Sequence, residues 1–332
     1  MELEIRHLRV VCAIADAGAV SRAAAALGVS QPALAAQLRR IEDQLGGPLY
    51  TRGRSGVVPT ELGEFVLAQA RDILGRVRDL QAASVSLARG GPRPSRVGGS
   101  PGVFFTSMLD HLQEADSARP VESRTEPTVA RLLELLGSRA LDGIMLHEFP
   151  GSPPTLGDHV LHRAVADSPE FVILPAGHPL AGEREVRLSD LATDHWVLPP
   201  SSGDGQRGYL RATCERAGFL PRVTHETADP ESAVALIRRG QAIGIASATF
   251  QPRPGVVVRP LEGNPLRCRY LLAWWADRPL ARHVAGLTDR ARRDYAATAL
   301  SRPCFADWLK LHDIDRDRIV DPWGQLAEPL RP

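Results

Sequence analysis

Apolar residues in the first part of the chain recur with the period of a helix. Leu8, Val11, Cys12 and Ala15 form one buried stripe in a first helix that ends near Gly18. Ser21 stands as an N-cap before Arg22 to Leu27, a run of strong helix formers stopped by Gly28. Ser30 caps a third helix with Pro32 in its first turn, where a missing N–H costs nothing, and Leu34, Leu38, Ile41 and Leu45 lie along its inner face. Leu49 to Thr60 reads as strand, glycine-rich turn and strand, with arginines at the tip. Beyond Thr60, itself a helix cap, Val66, Ala70, Ile73, Val77, Leu80, Ser84 and Leu87 fall at alternating steps of four and three. This is a heptad seam on a helix running to about Arg89, and it asks either for a partner helix or for an intramolecular face to cover it.

After the turn-rich linker Arg89 to Ser95 the pattern changes to short apolar runs alternating with helical stretches. Strands are expected at Arg96–Ser100, Val121–Thr125, Gly143–His147, Val160–Ala166, Phe171–Leu174, Trp196–Leu198, Val223–Glu226, Ile243–Ala246, Val256–Arg259 and Tyr270–Trp274. Helices are expected at Thr128–Arg139, Gly205–Ala217, Pro230–Arg239 and Pro279–Ala299. Such alternation implies parallel sheets, and this many strands are better shared between two lobes, with a ligand between them at strand C-terminal ends. From Ser301 the chain turns acidic and turn-rich, and Asp313, Asp315, Asp317 and Asp321 lack the central glycine and terminal glutamate of a calcium loop. It reads as a surface-packed extension.

Composition narrows the function. The chain has 332 residues, 43% of them hydrophobic and 24% charged, with no apolar run long enough for a membrane span and no signal-peptide core at the start. A cytoplasmic protein without membrane partners is expected. Cys12, Cys214, Cys268 and Cys304 lie far apart, so neither a metal site nor a disulfide framework is indicated, and no cofactor is expected. Net charge is only +1, but residues 1–95 carry 12 arginines against 9 acids, so any nucleic-acid contact is local to the N-terminal part. Two short helices around a glycine turn outline a helix-turn-helix, although Ala23 to Ala26 also suit plain close helix packing.

The run from Ala19 to Glu42 (AVSRAAAALGVSQPALAAQLRRIE), followed by Gln44 to Arg52 (QLGGPLYTR) and Pro59 to Gly63 (PTELG), closely resembles the DNA-binding domain of LysR-type transcriptional regulators. Looser pieces, Ile173 to Ala181, Leu141 to Met145 and Leu236 to Ile245, are similar to the same family's effector domain. The resemblance implies an N-terminal all-α winged helix-turn-helix at residues 1–60, with a linker helix for dimerisation and hinge at 61–95. It then implies an α/β, two-lobed, periplasmic-binding-protein-like effector domain at 96–300, with lobe 1 at about 96–166 and 269–300 and lobe 2 at about 167–268. Residues 301–332 form a C-terminal extension longer than the family usually carries.

By the same resemblance Ser30, Gln31, Pro32 and Ala33 open the recognition helix, while Arg22, Arg39 and Arg52 are placed for phosphate contacts, with the wing residue Arg54 beside them. The chemistry fits. Glutamine presents donor and acceptor together to an adenine edge, proline and alanine pack on a thymine methyl, and arginine anchors the backbone. Ala35 and Ala36 depart from the family's usual hydroxyl residue and arginine. Effector contacts map to Ser100, Thr128, Ser201 and Ser202, each of which also suits a helix cap, and together they point to a polar or anionic metabolite. The expected partners are operator DNA, a small-molecule effector, a second or further copy of the chain as homodimer or homotetramer, and the transcription machinery if the protein activates. A nucleoid-associated bacterial regulator is the resulting expectation. A ligand-independent architectural DNA binder is the alternative; an enzyme is disfavoured, because no phosphate-loop or H-E-x-x-H motif is present.

Overall fold

Three helices, a hairpin and a long helix follow from the N-terminal pattern: α1 (Ile5–Ala17), α2 (Val20–Leu27), α3 (Gln31–Leu45), β1 (Tyr50–Gly53) paired antiparallel with β2 (Gly56–Pro59), and α4 (Glu61–Ala88). The computed structural model describes residues 3–53, 56–88, 90–157, 159–200, 205–315 and 319–321. The chain divides into two units, one of Met1–Arg93 with Glu134–Leu141 and one of Pro94–Leu133 with Asp142–Pro332. Among the described residues no helix is long and apolar enough to cross a membrane.

The first unit closes around Leu8, Val11, Ile14, Ala23, Leu34, Ile41, Leu49, Val66 and Ala70. Ala23 and Ala24 are buried, which lets α2 approach its neighbours closely. The cap of α2 is Ala19, and Ser21 lies inside the helix, a correction to the expected boundary. Thr60 does cap α4, its Oγ1 accepting the Gly63 N–H at 2.9 Å. A side chain at Gly63 would place its Cβ 1.9 Å from the Leu49 carbonyl oxygen, so only glycine lets α4 start this close to the hairpin.

The seam along α4 is split. Val66 and Ala70 are buried in the unit's own core, whereas Ile73 and Leu80 are 38% and 68% exposed and Phe65, off the expected seam, is 64% exposed. The side chain of Leu87 lies outside the described residues. Farther along, Arg139, buried and at a positive φ of 55°, donates from Nε to the Asp72 carboxylate at 2.5 Å, tying the segment Glu134–Leu141 to α4 within this unit.

The second unit runs β3 (Ser95–Gly99), α5 (Val103–Ala115), β4 (Val121–Thr125), α6 (Val129–Gly137), β5 (Gly143–Glu148), β6 (Val160–Pro175), β7 (His195–Leu198), α7 (Gln206–Arg216), β8 (Arg222–Glu226), α8 (Pro230–Arg238), β9 (Gly244–Ser247), β10 (Val256–Arg259), β11 (Arg267–Trp275), α9 (Val284–Leu300) and α10 (Pro303–Leu311). The main sheet has the order β10-β6-β11-β5-β3-β4, with β9 also on β6. It is mixed rather than parallel: β3 pairs parallel with β4 and β5, but β11 and β6 run antiparallel to their neighbours. The expected strands Val160–Ala166 and Phe171–Leu174 are one 16-residue strand. Its polar middle looked like a break, yet Ser168 is buried and takes a hydrogen bond from the Tyr295 hydroxyl at 2.9 Å, which removes the cost of placing it there.

The C-terminal extension is not laid on the surface. Phe305 and Trp308 of α10 are fully buried, and the Trp308 indole N–H donates to Asn264 Oδ1 at 2.5 Å. Phe305 meets Tyr295 of α9 and Phe171 of β6, with ring centroids at 6.5 and 6.4 Å, so one aromatic cluster spans both halves of the unit. Ile314 and Ile319 are buried in the same cluster, and the Asp167 N–H donates to the Val320 carbonyl at 2.9 Å. We expect Trp308→Ala to destabilise the second unit by about 3–5 kcal/mol, the usual cost of deleting a buried aromatic ring. Denaturant unfolding measures this, and a loss below about 1 kcal/mol would return the extension to the surface.

Candidate functional site

In the first unit the turn between α2 and α3 depends on Gly28, which ends α2 in the left-handed region at φ 68°. Ser30 then caps α3, its Oγ accepting the Ala33 N–H at 3.3 Å. Leu34, Leu38 and Ile41 turn inward, and this fixes the opposite face outward: Gln31, Pro32 and Ala33 are all exposed at the helix start. Arg39 and Arg40 are exposed on the same helix, with no ion pair among the described residues, so their charges are available to an anion.

Arg22 is partly committed, since its Nε donates to the Ala17 carbonyl at 2.6 Å and closes the C-terminus of α1. Arg52 lies in β1 opposite Val57, its side chain outside the described residues, as is Arg54 entirely. Ala35 and Ala36 are half-buried.

In the second unit the C-terminal ends of parallel strands β3 and β4 lie together, Gly99 opposite Thr125, and the Glu126 N–H donates to the Gly99 carbonyl at 3.2 Å. The loop carrying Thr128 therefore begins beside the loop carrying Ser100. Thr128 caps α6, its Oγ1 accepting the Arg131 N–H at 3.3 Å. Among the described residues Ser100 caps nothing: α5 starts at Val103 behind Gly102 without a side-chain cap, and the Ser100 Oγ is buried with no hydrogen-bond partner there. A buried hydroxyl without a partner is rare in folded proteins. Ser201 and Ser202 lie outside the described residues.

The sequence reading missed a polar group where β11 lies between β5 and β6. Arg269 donates from Nε to Asp167 at 2.8 Å and sits 3.6 Å from Glu148, and these three line a cavity of about 170 Å³ with Phe149, Arg267 and Cys268. Behind it Cys268 Sγ donates to the buried Glu170 Oε1 at 3.1 Å. Burial pushes the Glu170 carboxyl up to about 7, against the opposing effects of the Cys268 hydrogen bond and the nearby His147. Only charged residues inside otherwise apolar strands hinted at this cluster. Among the described residues no group of side chains could hold a metal ion.

Residues 5–64 match the family model described as bacterial regulatory helix-turn-helix protein, lysR family, and residues 96–296 match that of the LysR substrate binding domain. The small neutral protease regulatory protein of Streptomyces coelicolor A3(2) is 36% identical over 335 residues, covering 100% of this chain and 99% of that protein. Its namesake from Streptomyces lividans is 39% identical over 274 residues, covering 82% and 78%. Among solved structures, a full-length OxyR variant from Pseudomonas aeruginosa superposes with a TM-score of 0.53 at 24% identity, covering 88% of this chain and 95% of its own. CbnR, a LysR family transcriptional regulator, gives 0.53 at 20% identity, covering 88% and 99%. At these identities both share the fold.

The Glu170 carboxyl yields a prediction with a definite sign. Its folded value of about 7 lies above the ordinary 4.5, so the folded state keeps a proton that the unfolded chain releases. Stability is full below the ordinary value and falls as pH rises toward 7, by about 3 kcal/mol in all. Glu170→Gln should flatten that slope in urea melts between these two pH values; an unchanged slope would assign the pH dependence to other groups.

Proposed function

This chain belongs to the LysR family of bacterial transcription regulators, and on that premise we propose that it acts as a dimer on the promoter of a small neutral protease gene, under control of a small polar effector. The observation that carries the DNA-reading part is the bare N-terminal turn of α3. Gln31, Pro32 and Ala33 stand exposed above a buried Leu34, so they can reach base edges while Arg39, and Arg22 through its remaining N–H groups, hold phosphates. Arg52 and Arg54 on the hairpin complete the phosphate contacts. The target is suggested by the Streptomyces relatives, which are named as protease regulators and one of which matches across the whole chain, extension included. The protein works on the bacterial nucleoid, in the cytoplasm.

For the effector, Ser100 supplies a hydroxyl without a partner and Thr128 lies on the adjoining loop; Ser201 and Ser202 are proposed to approach from the other lobe. The dimer is proposed to form along α4 through Ile73, Leu80 and Phe65, whose exposure on one long helix leaves apolar area that water would otherwise cover. Contact with the transcription machinery follows if the protein activates. Reading by an architectural binder without a ligand is disfavoured by the two-lobed domain itself.

Mobility shifts with the upstream region of a neutral protease gene and with scrambled DNA test the reading. Gln31→Ala should lower discrimination by about 1–3 kcal/mol, whereas Arg39→Ala should weaken both DNAs alike. Equal loss on both DNAs for Gln31→Ala would reduce that residue to positioning. Ile73→Glu with Leu80→Glu should sediment as a monomer, and an unchanged dimer would move the interface away from α4.

A further inference from the structure

A second cavity lies far along the chain from Ser100, where the C-terminal extension meets the second lobe. Its volume is about 660 Å³, within the range of about 300–1,000 Å³ usual for small-molecule sites. One wall is the loop Gly182–Arg184, a second is the end of β10 at Val258 to Pro260, and the third is α10, through Cys304, Asp307, Trp308, Lys310 and Leu311. The last five residues lie beyond residue 296, where the match to the family's substrate-binding domain stops. The extension therefore supplies one wall of the cavity, and the family domain supplies the rest.

Its walls carry three cations, Arg184, Arg259 and Lys310, against two carboxylates, Glu183 and Asp307, together with some apolar surface. Arg259 is held rigidly, donating from Nη1 to the Val258 carbonyl at 2.8 Å and from Nη2 to the Ala181 carbonyl, but no carboxylate pairs with it among the described residues. Its Nε is buried with no hydrogen-bond partner among the described residues. Arg184 is exposed and likewise has no ion pair among the described residues. Lys310 pairs with Asp307 at 3.1 Å, a contact so open to water that it holds neither side chain strongly. Leu311 supplies most of the apolar surface, beside the largely buried Val258 and Pro260 and over the fully buried Trp308, and it is 46% exposed although it belongs to a helix whose other large apolar residues are buried. Burial pushes the Cys304 thiol up to about 12, so it adds no negative charge to repel an anion.

We propose that this cavity is a second ligand site, for a small carboxylate with an apolar body. The carboxylate takes the two arginines, Arg184 through its exposed guanidinium, whose parallel N–H donors match a carboxylate, and Arg259 through the Nη N–H groups that its two carbonyl contacts leave over. The body lies against Leu311 and the edge of Val258. The site is independent of DNA reading and of Ser100, so its failure leaves the regulator assignment untouched.

Isothermal titration of the full chain with 3-phenylpropanoate tests it, beside phenylalanine amide, which keeps the ring but lacks the carboxylate, and inorganic phosphate, which lacks the body. Saturable binding of 3-phenylpropanoate with a Kd of about 1 mM or tighter is expected, with neither control saturating. Arg184→Gln should weaken it about tenfold or more by removing a charge-assisted contact. Leu311→Asp should do the same, and Ser100→Ala with Thr128→Val should leave it unchanged. Both test positions are exposed, and circular dichroism checks that the variants fold; if Leu311→Asp does not, Arg184→Gln decides alone. No saturation, equal binding by phosphate, or binding kept in Arg184→Gln but lost in Ser100→Ala with Thr128→Val would each overturn the proposal.

Discussion

The second unit depends on one strand that serves two sheet halves at once. The first part of β6 pairs with β11, and its last part pairs with β9 and β10, so the backbone hydrogen bonds of both lobes meet in a single extended segment. A strand buried on both sides normally excludes polar side chains, because each must find a partner or bear the full penalty of desolvation. Ser168 and Glu170 sit at that crossing nonetheless. Tyr295 answers the first and Cys268 the second, which is why elements distant in sequence converge there. The aromatic cluster from Phe104 through Tyr295 to Phe305 then packs over the crossing and fixes the strand from one side.

Much of this was legible in the sequence where local chemistry decides. Ser30, Pro32 and Gly46 set the limits of α3 through capping and backbone conformation, and these need no knowledge of the rest of the chain. The hairpin from Tyr50 to Pro59 was equally plain. Failures came where a distant partner decides. The middle of β6 reads as a break until Tyr295 is brought beside Ser168. The tail reads as acidic surface because its aspartates outnumber its aromatics, yet Phe305, Trp308 and Leu309 fall at steps of three and four, the spacing of one buried helix face. The same limit governs the candidate sites. Ser100 and Thr128 look alike in sequence, and only the position of the helix starts separates a capping hydroxyl from one without a partner.

The helix-turn-helix shows a related division of labour. Residues that shape the motif, such as Gly28, Ser30 and Leu34, commit their bonding and burial inside the unit, while Gln31, Pro32, Arg39 and Arg40 keep theirs open to solvent. Arg22 stands between the two groups, exposed yet closing one helix with Nε. Its loss would mix a local structural effect with any change in phosphate affinity, so Arg39 reports more cleanly on charge alone.

The buried extension bears on how such a sensor can be cut and reused. A chimera that joins this effector domain to a foreign DNA-binding head would naturally take its end point from the family domain, near residue 296. That cut would strip Phe305 and Trp308 from Phe171 and Tyr295 and turn an interior surface into an adhesive one. The transplantable module is therefore the chain through at least Val320, whose carbonyl still holds the middle of β6.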